Sequence, residues 1–195
     1  MVQEADKALE NILNNISNSV AAMVPTLKSK LFTLRPFRKG DEKSLQEKIN
    51  HKDIYRYTLR IPYPYTLRHA KEFVKSCLLA YKKKDAAELR FAIDVNGGVV
   101  GGIGLREIDG HKAEIGYWLA KKDWGRGIMT AAVKLVSNYG FRQMRLRRVY
   151  ARVSAKNKAS ARVLEKAGFR FEGLLRKLYK KDGKLIDAML YVKVK

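Results

Sequence analysis

WGRGIMTAAVKLVSNYGFRQMRLRRVYARVSAKNKASARVL runs from Trp124 to Leu164. It opens on a Gly-x-Gly turn, Gly125 and Gly127, and passes at once into a helical pattern. A glycine turn feeding a helix presents backbone N–H groups that lack intrahelical partners, at the positive end of the helix dipole. That arrangement suits a pyrophosphate. The same residues also read as a capped turn ahead of an ordinary amphipathic helix. The stretch carries Arg126, Lys134, Arg142, Arg145, Arg147, Arg148, Arg152, Lys156, Lys158 and Arg162, and no Asp or Glu.

Working outward, Lys112–Ala120 (KAEIGYWLA) predicts a strand ahead of the turn. Leu89–Val95 and Val99–Arg106 predict two more, joined through Asn96-Gly97-Gly98, so the core begins as a three-stranded antiparallel meander. Beyond the stretch's first helix come a strand over Arg147–Val153 and a helix from Asn157 to Ala167, stopped by Gly168. Phe169–Tyr179 and Leu185–Val194 predict a last hairpin across Asp182-Gly183. Earlier in the chain, Leu31–Arg38 reads as a first strand. Asp41 is a candidate cap for a helix through Asn50, and Thr66 for one from Leu67 to about Lys83. Ala70, Phe73, Val74, Cys77, Leu78 and Tyr81 would face inward on the second. His51–Tyr65, rich in Tyr and Pro, reads as an irregular loop. Its Tyr55, Tyr57, Tyr63 and Tyr65 would either form a substrate lid or pin a surface loop.

Residues 1–30 stand apart from the domain at 31–195. Leu9, Ile12, Leu13, Ile16, Val20 and Met23 recur at helical steps, predicting an amphipathic helix over Gln3–Met23 that docks on the domain or on a second subunit. Val24–Lys30 reads as a short linker. Three basic and three acidic side chains cancel in Met1–Lys30, so the net charge of +22 belongs to Leu31–Lys195. Such a field attracts polyanions: nucleic acid, an anionic membrane surface or a phosphorylated ligand. No apolar run approaches the ~20 residues of a membrane span. The N-terminus opens on an acidic-polar helix pattern, which is not the build of a secretory signal. Cys77 is the single cysteine and His51, His69 and His111 lack ligand spacing, so neither a disulfide within the chain nor a metal site is expected. A cytoplasmic protein is the simplest fit.

EIGYWL (Glu114–Leu119), WGRG (Trp124–Gly127) and NKASARVLEKAGF (Asn157–Phe169) follow in an order and spacing that resemble the GNAT superfamily of N-acetyltransferases, most of all the RimJ/RimL type. The resemblance covers roughly Leu31–Lys195. It implies an α+β fold whose mostly antiparallel sheet holds one splayed parallel pair, EIGYWL beside RVYARV, flanked by helices. It implies acetyl-CoA as donor. Backbone N–H groups of Trp124, Gly125, Arg126, Gly127, Ile128 and Met129 would hold the pyrophosphate, with the Arg126 side chain in reach of the phosphates. Lys122 stands where the family carries Gln or Arg. Tyr117, Trp118 and Leu119 would line the opened edge that takes the pantetheine arm, and Asn157 would contact it besides capping its helix. Ser160 matches the position that assists departure of the CoA thiolate.

A neutral amine must attack the thioester, so its proton needs a receiver. Glu114, on the central strand, is the candidate; Glu72, Glu88 and Glu107 are rivals. The expected acceptor is a protein N-terminus, a ribosomal protein by resemblance, with the basic surface available to ribosome or RNA. A small-molecule amine is the alternative acceptor, and a basic nucleic-acid-binding protein without activity the alternative class. A homodimer fits the unpartnered N-terminal stripe.

Overall fold

The computed structural model describes residues 24–82 and 87–195. The helix expected over Gln3–Met23, and its docking, lie outside the described residues. In chain order come β1 (Leu27–Lys28), β2 (Thr33–Arg35), α1 (Glu42–Ile49), α2 (Lys52–Tyr57) and α3 (Leu67–Ala80). β3 (Leu89–Val95), β4 (Gly98–Asp109), β5 (Lys112–Leu119) and α4 (Ile128–Arg142) follow. β6 (Arg148–Ser154), α5 (Lys158–Lys166), β7 (Arg170–Lys181) and β8 (Lys184–Val194) complete the chain. One sheet joins all the strands in the order β1-β2-β3-β4-β5-β6-β8-β7. Every neighbouring pair is antiparallel except β5 and β6.

The helices bury the faces their sequences mark. α3 buries Ala70, Val74, Cys77 and Leu78, the i, i+4, i+7, i+8 row of an amphipathic helix. Thr66 caps it, its hydroxyl accepting from His69 N, while the His69 ring accepts from Thr66 N. α4 lies on the sheet through Ala132, Val133, Val136 and Phe141. α5 buries Ala161 and Leu164. Fully burying a leucine such as Leu164 stabilises by about 1.5–3 kcal/mol.

Four local expectations are corrected. The Val24–Lys30 segment is more than a linker: Val24 is buried and β1 pairs with β2, Leu27 opposite Leu34. The first strand is shorter than Leu31–Arg38, because the Arg35 side chain is drawn into Asp41 and Asp94 and Pro36 follows it. Asp41 sits at the N-cap position of α1 without capping it; its carboxylate accepts from Arg35 and from Arg38 N instead. The loop over His51–Tyr65 contains α2, which buries only Ile54 and so shows no apolar periodicity. His51 caps it, accepting from Asp53 N.

Candidate functional site

β5 and β6 pair over Lys112–Arg148, Ala113–Val149 and Glu114–Tyr150, and there the ladder stops. β4 still follows β5 to Leu119, and β8 follows β6 to Ser154. Past Glu114 the two central strands therefore present unpaired backbone edges to each other, the fork expected from the resemblance. Every sequence-predicted site residue except Arg126 lines the cleft that opens there, of about 1240 Å³.

At one end of the fork, Lys121–Asp123 make a short 3-10 turn and the chain swings into α4. The indole N–H of Trp124 donates to Leu119 O at 2.8 Å, tying this turn to the end of β5. Gly125 and Gly127 both have φ +76°, with nothing within 4 Å of where a Cβ would stand. Left-handed backbone in open space is what a glycine turn needs in order to face a phosphate with its N–H groups. Gly127 is the N-cap of α4, so those N–H groups point out of a helix start free of acidic side chains. Arg126 donates to Asp123 at 2.7 Å, so part of its guanidinium is already committed. The other oxygen of Asp123 is buried with no hydrogen-bond partner among the described residues. The Trp124 N–H is already spent on Lys121 O at 3.1 Å, so the donors that fit a CoA pyrophosphate begin at Gly125, one residue later than the sequence suggests.

Across the fork, Asn157 caps α5 by accepting from Ser160 N at 3.0 Å. The Ser160 hydroxyl lies 2.8 Å from that of Tyr117 on β5. Burial pushes the Tyr117 hydroxyl's pKa upward, the Ser160 contact pulling the other way, so it stays protonated. Trp118 sits opposite Gly102 on β4, where a Cβ would stand 2.6 Å from the indole nitrogen. Gly102 is therefore the space that lets the indole cross the strand.

At the crotch of the fork, Glu114 is 1% exposed. Its direct cross-strand partner is Arg106, whose Nε donates at 2.8 Å. Arg152, two residues beyond Tyr150 on β6, donates from Nη2 at 2.6 Å and from Nε at 3.1 Å. Burial alone would raise the carboxyl's pKa; the hydrogen bonds from Arg152 and Arg106 outweigh it and hold Glu114 below the ordinary value. Glu107 shares Arg152 at 2.7 Å and accepts from the Tyr150 hydroxyl at 2.9 Å. Of the rival carboxylates, Glu88 and Glu107 line the cleft.

The same cleft is bordered by Arg56, Tyr57 and Thr58 and by Lys181. α2 is fastened to the β7–β8 turn: the Tyr55 hydroxyl meets Asp182 at 2.5 Å, and Lys181 donates to the carbonyls of Tyr55 and Thr58. Lys121 adds an ion pair to Asp53 at 2.6 Å. Among the described residues no group of His, Cys, Asp and Glu is arranged to hold a metal, and no helix is long and apolar enough to cross a membrane.

Comparison with known proteins matches this architecture to a family. The GNAT acetyltransferase domain pattern matches residues 32–170, so the chain belongs to the GNAT acetyltransferase family. Within it, the chain is 30% identical to the spermidine N(1)-acetyltransferase of Escherichia coli K12 over 145 residues, 73% of this chain and 74% of that one. Mycobacterium smegmatis RimJ, solved with a CoA disulfide, is 29% identical with a TM-score of 0.73, covering 84% of this chain and 81% of its own. RimL, a ribosomal L7/L12 α-N-protein acetyltransferase solved with CoA, shares the fold at 20% identity, with a TM-score of 0.78 over 87% of this chain and 98% of its own. Higher identities, 38% to 52%, occur with three Bacillus proteins of uncharacterized activity named as N-acetyltransferases, but the match spans only 39% to 53% of their lengths.

Proposed function

We propose that the chain transfers the acetyl group of acetyl-CoA to a primary amine, above all the α-amine of a protein or peptide N-terminus. The observation that carries this reading is the fork. Open strand edges, a left-handed glycine turn at a helix start and the Ser160 hydroxyl share one cleft. Acetyl-CoA supplies an acetyl thioester open to attack by a neutral amine. The Gly125–Met129 backbone holds the pyrophosphate, and the free edges beside Tyr117, Trp118 and Leu119 take the pantetheine amides. Asn157 fixes the start of α5, and Ser160 offers its hydroxyl to the leaving sulfur. Glu114 draws the amine's proton away through water. Its oxygens are already engaged by guanidiniums, so it acts more as a fixed negative charge than as a strong base. Ser160→Ala is expected to lower kcat about ten-fold or more while leaving acetyl-CoA affinity within two-fold.

The acceptor follows from charge. The net charge of +22 repels polycations, and the cleft carboxylates Glu88, Glu107, Glu114 and Asp123 are each already on an arginine. At pH 7 about a tenth of an α-amine is neutral, against less than a thousandth of a lysine amine. A ribosomal protein, as in RimL's description, and a cytoplasmic setting beside RNA fit the same surface. Peptides with acidic residues after the N-terminus should therefore react faster than basic ones, with added salt narrowing the gap. A panel of peptides and polyamines assayed at two ionic strengths measures this. The likeness to spermidine N(1)-acetyltransferase favours a second reading, a small polyamine acceptor. The highest kcat/KM falling to spermidine would establish that reading and overturn the first.

A further inference from the structure

We infer that Tyr117 is a positioning residue for the acetyl transfer, acting through Ser160; this rests on the acetyltransferase reading above. The two hydroxyls are 2.8 Å apart, joining residues 43 positions apart on β5 and α5. The Tyr117 oxygen also lies 3.4 Å from the Ser160 carbonyl. Either hydroxyl can donate in the 2.8 Å contact; we place the single tyrosine proton there, on the shorter contact, with the 3.4 Å carbonyl a weak second acceptor. With the Tyr117 hydroxyl donating to Ser160 Oγ, the serine's own proton is free to turn into the cleft. A hydroxyl that accepts one hydrogen bond donates a stronger one. Without Tyr117, the serine proton could instead turn back onto local backbone carbonyls, the usual habit of a hydroxyl near a helix start.

The step balances as follows. The amine nitrogen's lone pair forms the C–N bond and the carbonyl π pair moves to oxygen. That pair then re-forms the carbonyl as the C–S bond breaks, its electrons leaving on sulfur. The thiolate accepts the Ser160 hydrogen bond while Ser160 accepts that of Tyr117. Neither hydroxyl gives up its proton. The proton lost by nitrogen passes to water drawn by the Glu114 charge and on to solvent, and the thiolate, with a thiol pKa of about 8.5, regains one from solvent.

A double-mutant cycle tests this, with kcat, KM for acetyl-CoA and ligand-induced thermal shift measured on each variant. Tyr117→Phe removes one oxygen and keeps the ring. It is expected to lower kcat about three- to ten-fold, the worth of one hydrogen bond, with KM for acetyl-CoA within two-fold. In the Ser160→Ala background, Tyr117→Phe is expected to cost nothing further. An equal fall in kcat in both backgrounds would overturn the proposal, as would an effect confined to KM. An absent acetyl-CoA shift in the wild-type protein would instead sink the acetyltransferase reading, so the two failures are distinct.

Discussion

Gly127→Glu is expected to abolish the stabilisation that acetyl-CoA confers on the fold. At one hundred times its dissociation constant, a ligand bound only to the native state adds about 2.7 kcal/mol. The substitution places a carboxylate at the N-terminus of α4, where the phosphates would sit, and fills space that is open. It also strains the backbone: Gly127 has φ +76°, and a side chain there costs about 1–2 kcal/mol. Gly127→Ala carries the same strain without the charge, so it separates the two effects. Alanine should lower the melting temperature yet keep part of the acetyl-CoA shift; glutamate should lose the shift altogether. Equal shifts in wild type and Gly127→Glu would remove the turn from the site.

The second large effect belongs to Glu114. Breaking a buried ion pair by deleting one partner costs about 3–5 kcal/mol. Here the arginine side chains are 28% and 24% exposed and Arg152 keeps Glu107, so Glu114→Gln should cost about 2–3 kcal/mol at pH 7. The pH dependence has a definite sign. Glu114 titrates lower in the native state than in the unfolded chain. Its contribution is complete above the unfolded carboxylate value of about 4.3 and disappears as pH falls through the native value. Urea unfolding of both proteins in steps from about pH 7 to about pH 3 should show the gap closing only at the acid end. A gap that stays constant would mean the loss comes from packing and not charge. Acetyl transfer by the variant should be weakest at the lower end of the active range, where free amine is scarcest.

Legibility in the sequence tracked locality. The turn at Gly125–Gly127 and the Asn157 cap were readable because each motif is completed within a few residues. The meander was readable from alternation and from its glycine turn, and the fork came through the resemblance alone. The partners of Glu114 were not readable: Arg106 and Arg152 reach it only through the β4–β5 register and the parallel β5–β6 step. Tyr117 and Ser160 likewise meet only when α5 is laid against β5. α2 escaped because Lys52–Tyr57 buries a single side chain and so carries no period. β1 escaped because a two-residue strand has no pattern to read.

The fastening of α2 to the β7–β8 turn also bears on the order in which the molecule is assembled. The Tyr55–Asp182 contact closes a loop of 127 residues, whereas the Trp124–Leu119 bond that shapes the glycine turn spans five. Contacts of long sequence separation wait on the loop-closure entropy that nearer contacts avoid. The glycine turn is thus a local product of consecutive residues, while the α2 side of the cleft is closed only when the last hairpin is in place. A nascent chain emerging residue by residue would complete its glycine turn well before α2 could be fastened to the last hairpin.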